Sequence, residues 1–216
     1  MDKEELGEMI MAFFYLIRHG EPDYGNMLEK GFYGFGRSFA PLSETGFKQA
    51  EKTAKDKRLK TAELIVSSPY TRALQTAAII SRETGLKINV EIDLHEWQVD
   101  KTNQITTSEE VIALTKEFND NKGTYPKNQQ LRWETLDEMR NRIQRVADKY
   151  ANYNKVILVG HDMAFRTLTY IKKIRPAEIV ELEYFSGQSK CEYFLLKNII
   201  MWLEYTMRWE VETKWN

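Results

Sequence analysis

The chain has one cysteine, Cys191, and only three histidines, His19, His95 and His161. A lone cysteine excludes an internal disulfide and cannot build a zinc site by itself. It reads as a small buried apolar residue rather than a reactive thiol. No two histidines stand at the close spacing of a zinc motif, which argues against a metal centre. An excess of charge of one sign is missing too, since 31 Lys+Arg nearly cancel 32 Asp+Glu. With no basic stripe or polybasic tail, nucleic acid is not an expected partner. A small anionic substrate needs only a local cluster of cations, which a near-neutral total permits. Long apolar stretches are also lacking. The run Ala12–Ile17 is too short for a membrane span or a signal core, and the residues before it carry acids and no basic leader. No membrane partner is expected, and the cysteine usage fits a reducing cytoplasm.

What is present is enough for one compact domain: 216 residues, 42% of them hydrophobic. Four short apolar runs read as strands buried on both faces, at Ala12–Ile17, Glu63–Ser67, Lys87–Ile92 and Val156–Val159. Helical segments alternate with them. Ser43 is placed to cap a helix to about residue 57. Ser68, followed by Pro69, is placed to cap another that stops at Gly85. Thr107 with Glu110, and Thr135 with Glu138, have capping-box spacing. After the second box, Leu136, Met139, Ile143, Val146, Ala147 and Tyr150 recur at helical period. Asp162 is placed to cap a last helix to about Lys173. Residues 20–41 and 120–130 read as loops, the first rich in glycine and aromatics. Alternation from Ile199 to Val211 predicts a strand, joined by Cys191–Leu196, at one side of the sheet and open to antiparallel pairing. An exposed apolar strand there would suit a homodimer contact.

This order predicts a three-layer αβα sandwich with a mostly parallel central sheet, helices on both faces and extra C-terminal strands at one edge. The expected organisation is a single domain, with a core over about 12–196, an insertion over about 97–130 and a β extension over about 197–216. In such sheets ligands bind beyond the carboxyl ends of strands. Arg18–His19 and Gly160–His161 both lie just past such ends, and Arg72 lies in the first turn of a helix that comes after another. These elements should therefore converge on one edge.

The convergent side chains suit phosphoryl transfer, which asks mainly for positioning and charge stabilisation. A neutral His19 is a competent nucleophile if its other ring nitrogen gives its proton to a backbone carbonyl. Arg18 and Arg72 offer forked donors to phosphate oxygens, which lysine cannot reproduce. His161 can donate to a further oxygen. Glu96 or Asp93 can protonate the leaving oxygen and later activate water.

Leu16–Ile17–Arg18–His19–Gly20–Glu21 resembles the signature of the histidine phosphatase superfamily, also called phosphoglycerate mutase-like. Pro41–Gly46 with Gln49–Ala50, Ser67–Ala77 around Arg72, and Val159–Gly160–His161 are similar to further motifs of that family, in order and spacing. The resemblance implies that His19 becomes phosphorylated, that Arg18, Arg72 and His161 complete the phosphate pocket, and that Glu96 in Leu94–His95–Glu96 is the proton donor. It implies no metal and no organic cofactor, and a small phosphorylated substrate. Many members continue the first motif with a threonine and, three residues on, an asparagine that touches phosphate. Pro22 and Gly25 stand there instead, with Asn26 one place off as a weak substitute. Glu21, Asn26 and Arg37 are the remaining candidates for substrate contact. The expected activity is phosphomonoester hydrolysis. The alternatives are a mutase that returns the phosphate to a bound sugar acid, and a phosphate-binding module without chemistry.

Overall fold

The structure, a computed structural model, describes residues 11–188. Five strands form one sheet in the order β3 (Ile88–Val90), β2 (Leu64–Ser67), β4 (Lys155–Gly160), β1 (Met11–Arg18) and β5 (Ile179–Phe185). The first four run parallel, and β5 lies antiparallel on β1. The α/β class and the mostly parallel sheet agree with the pattern of the sequence. The strands expected at Cys191–Leu196 and over 199–212 lie outside the described residues. The antiparallel edge within them is β5, a segment absent from the sequence-based expectation. Val180, Leu182 and Tyr184 alternate along it and pair with Leu16, Phe14 and Ala12.

Among the described residues six helices accompany the sheet: α1 (Gly25–Glu29), α2 (Glu44–Ala54), α3 (Thr71–Thr84), α4 (Ser108–Asp120), α5 (Leu136–Lys149) and α6 (Asp162–Arg166). Alternate residues of the central strands point to opposite faces, so two apolar cores form. Tyr15, Ile17, Ile65, Ile157 and Val159 pack with α2 and α3. Phe14, Leu16, Val66, Val156 and Leu158 pack with α4, α5 and α6. Within residues 97–130, α4 carries Phe118 into that second core, between Trp97 (4.5 Å between ring centres) and Trp133 (5.2 Å).

The caps at Ser43, Thr107 and Thr135 occur as expected, both capping boxes are closed, and Gly85 ends α3 at φ 75°. Other ends differ. α3 begins at Thr71 after Tyr70, while Ser68 Oγ accepts from Tyr70 N (3.3 Å) and also meets His161 Nε2. α6 begins after His161, with Asp162 inside it, and stops at Arg166 rather than near Lys173. The shortening has a local cause. Asp162 Oδ1 accepts from Ile174 N (2.7 Å) and Arg166 Nε donates to Ile171 O (3.1 Å), so the chain from 167 to 174 closes back on the helix. α2 also stops early, where Asp56 caps a 3-10 turn over Lys57–Thr61.

The 20–41 segment holds more structure than its glycines suggest, with α1 and a 3-10 turn over Gly34–Phe39. Its start is fixed by a close approach of two backbones. A Cβ on Gly20 would lie 2.5 Å from Gly46 O, and one on Gly46 would lie 2.1 Å from Glu21 O. Only glycines allow α2 to press against the chain that leaves β1.

Candidate active site

The site is built by strand register. Arg18 pairs with Gly160 across β1 and β4, and Ser67 with Val159 across β2 and β4. Three parallel strands therefore end side by side, and His19, His161 and Ser68 are the first residues beyond them. The rings of His19 and His161 lie edge to face at 5.1 Å. Both histidines are buried, at 3% and 0% exposure.

His19 is held in one tautomer. Its Nδ1 lies 2.6 Å from Gly20 O, which can only accept, so Nδ1 carries the proton and Nε2 keeps its lone pair. Arg72 Nε, on the first turn of α3, donates to that Nε2 at 3.1 Å. Burial first, then the guanidinium groups of Arg72 and Arg18, hold the His19 pKa well below the ordinary imidazole value. His161 is lowered for the same reasons, with burial again foremost and Arg72 next. Its Nε2 meets Ser68 Oγ at 2.8 Å, and its buried Nδ1 has no hydrogen-bond partner. Arg18 gives Nη1 to Ile174 O (2.8 Å), while its Nε is buried without a partner. Two of the few buried polar atoms without a partner among the described residues thus belong to groups that flank His19.

Glu96 approaches from the segment after β3. Its carboxylate accepts from Trp97 N (2.9 Å) and from Ala164 N (3.2 Å) and Met163 N (3.3 Å) at the start of α6. Burial pushes its pKa above the usual carboxylate value, outweighing the Trp97 hydrogen bond, and nearby Asp162 adds to the rise. Asp93, the other candidate acid, instead pairs with Arg145 on the surface (3.1 Å). A cleft of about 130 Å³ is lined by Arg72 and Glu96 together with Tyr24, Phe35, Arg37, Trp97, Val99 and Asp100.

The structure thus brings together Arg18, His19, Arg72, Glu96 and His161, with Arg37 on the cleft wall. It does not bring in Glu21, whose exposed carboxylate accepts from Ser43 Oγ (2.8 Å). Asn26 sits within α1. No group of ligands suited to a metal ion occurs among the described residues.

Several supporting residues escape a reading by motif. Thr76 Oγ1 accepts from Gly20 N (3.1 Å) and donates to Arg72 O (2.8 Å), joining the two sides of the pocket. Behind Glu96 stands a buried ion pair, Arg142 to Glu134, with contacts of 2.5 and 2.9 Å. Arg142 also donates to Asp93 O (2.7 Å), His95 O (2.6 Å) and Glu96 O (3.3 Å), and Glu134 Oε2 accepts from Gln98 N (3.1 Å). The pair clamps the backbone on both sides of Glu96. The sequence carries little signal for it, since Glu134 lies just before the Thr135 cap and Arg142 in the middle of α5.

The family model of the histidine phosphatase superfamily (branch 1) matches residues 14–191. The uncharacterized phosphatase PhoE of Bacillus subtilis (strain 168) is 32% identical over 162 residues, which cover 73% of this chain and 76% of that protein. Among solved structures, a mycobacterial glucosyl-3-phosphoglycerate phosphatase superposes with TM-score 0.60 at 21% identity, over 80% of this chain and 90% of that one. A phosphoglycerate mutase from Bacillus anthracis (strain Sterne) superposes with TM-score 0.58 at 19% identity, over 89% and 96%. The sequence match over most of the chain, on a fold that sets the motif histidines and arginines around one pocket, identifies the chain as a member of the histidine phosphatase superfamily, branch 1.

Proposed function

We propose that the chain hydrolyses small phosphomonoesters through a phosphohistidine on His19. The observation that carries this reading is the pair of hydrogen bonds at His19. Gly20 O accepts a hydrogen bond from Nδ1–H, and the Nε2 lone pair faces the guanidinium of Arg72. A phosphate bound there exchanges the Arg72–His19 contact for contacts of its own. Its oxygens meet Arg72, the orphaned Nε of Arg18 and the orphaned Nδ1 of His161.

His19 Nε2 attacks phosphorus as the P–O bond to the leaving group breaks, and Glu96 gives its proton to the departing oxygen. Water then attacks the phosphohistidine, Glu96 takes a proton from it, and the P–N bond breaks to free phosphate. A raised Glu96 pKa suits a group that must be protonated first and a base later.

The test is mass spectrometry after rapid, acid-free quenching with a phosphomonoester. Wild type is expected to carry one phosphate on His19, and His19→Ala neither adduct nor turnover. An unimpaired His19→Ala enzyme would falsify the mechanism. Mutase activity dependent on bisphosphoglycerate, measured in parallel, is the competing outcome.

The pH profile is a second test. Attack needs neutral His19, whose pKa lies well below 6.5, so the acid limb should fall below the ordinary imidazole range. The first step needs protonated Glu96, whose pKa lies above 4.5, so activity should decline on the alkaline side above the usual carboxylate range. An acid limb on kcat/KM centred at pH 6.5 or higher would contradict a buried His19 flanked by cations.

A further inference from the structure

We infer that Arg37 forms a second anion seat in the cleft, so that the leaving group of the preferred substrate carries a negatively charged oxygen group, such as a carboxylate, on a flat or apolar body. This rests on the phosphomonoesterase reading and adds a substrate class to it.

Arg37 is held beside the phosphate end of the cleft. Its carbonyl accepts from Arg72 Nη1 at 3.1 Å. Its guanidinium carbon lies 4.8 Å from the centre of the Tyr24 ring, and that of Arg72 lies 5.8 Å from the same ring. Two cations therefore share one aromatic ring. Among the described residues Arg37 has no acidic partner, unlike Arg132, Arg142 and Arg145.

The other charges of the cleft are committed. Among the described residues Asp100 is the one further carboxylate on its wall, and its side chain is only 2% exposed. It accepts from Thr102 N (2.9 Å), Thr102 Oγ1 (2.6 Å), Gln104 N (2.7 Å) and Ile105 N (3.1 Å), and pairs with Arg132 (2.7 Å). It therefore offers Arg37 no charge, and a carboxylate so fully bonded repels an incoming anion little. Glu96 enters the reaction protonated. Once a bound phosphate has neutralised Arg18 and Arg72, Arg37 is the uncompensated cation of a half-buried cleft. A guanidinium so placed gains most from a forked contact with an anionic group.

The remaining wall sets the body of the ligand. Phe35, Val99, Val111 and Met163 are apolar, with Gln98 and Asn103 as the amides. A flat or apolar group can lie between them while its anionic end reaches Arg37.

The test uses three phosphonates that cannot be hydrolysed: phenylphosphonate and its 3-carboxy and 4-carboxy derivatives. Their affinities are measured by titration calorimetry on the full chain. One carboxylated isomer is expected to bind wild type roughly ten- to a hundredfold tighter than phenylphosphonate, the range of a hydrogen bond to a charged group. In Arg37→Met, which keeps the apolar stem against Tyr24, the preference should fall to near unity, and Arg37→Lys should keep part of it. Equal affinities in wild type, or a preference that survives Arg37→Met, would overturn the proposal. An equal loss for all three ligands would also overturn it, by placing Arg37 on the transferred phosphate. Thermal unfolding of each variant shows whether it is folded. No turnover is required, so failure here is distinct from failure of the phosphatase reading, which shows as absent phosphate release and no adduct on His19.

Discussion

Glu96→Gln is expected to slow hydrolysis of an alkyl phosphate by roughly 10²- to 10⁴-fold, the usual worth of a positioned general acid or base. The effect should depend on the leaving group. An alkoxide needs a proton as it departs, whereas a nitrophenolate leaves without one. Phosphorylation of His19 by nitrophenyl phosphate should therefore survive the change. The second half-reaction should not, because water still needs Glu96 as a base. The variant should release about one equivalent of nitrophenol in a burst and then stall, with phosphate trapped on His19. Glutamine with its oxygen in the Oε1 position keeps the acceptor for Trp97 N and Ala164 N and gives up only the longer Met163 N contact at Oε2, so the segment should hold its place. The measurements are stopped-flow absorbance and intact-protein mass. If both ester types slow by the same factor with no burst, Glu96 is not the proton carrier.

Arg142→Met should cost both stability and rate, and a double variant should separate the two. The single change strands the carboxylate of Glu134, which is 3% exposed, so a loss of about 3–5 kcal/mol is expected. For a chain of this size that corresponds to a Tm lower by on the order of 10 °C. Arg142→Met/Glu134→Met removes both charges and should recover much of that stability, because buried ion pairs seldom outperform apolar packing. It should not recover the rate. The carbonyls of Asp93, His95 and Glu96 would still lack their donor, and Gln98 N its acceptor. Glu96 would then wander from the leaving oxygen, and the loss should be larger for alkyl than for nitrophenyl esters. Urea unfolding and kcat/KM on both esters complete a double-mutant cycle. A double variant that regains both stability and rate would reduce the pair to a structural support.

Much of this protein was legible in one dimension. The unbroken apolar runs before Arg18–His19 and Gly160–His161 have the pattern of buried parallel strands, and such strands deliver the residues just past their ends to the same sheet edge. The capping boxes at Thr107 and Thr135 were legible because a cap is a contact between near neighbours in sequence. Where long-range partners compete, local rules misled. Ser68 accepts from Tyr70 N but also joins His161, and the helix starts only at Thr71, while Asp162 turns its carboxylate to Ile174 instead of opening a long helix. β5 carries its own alternation, yet its role as the antiparallel edge depends on pairing with β1. The Arg142–Glu134 clamp and the placement of Arg37 on Tyr24 left no short-range mark. The sequence by itself thus determined which residues could carry phosphate chemistry and at which strand ends they stand, since both depend on residue type and local period. Only the tertiary structure decided the pKa values, the positioning partners and the shape of the cleft, because these arise from burial and from contacts between segments far apart in the chain.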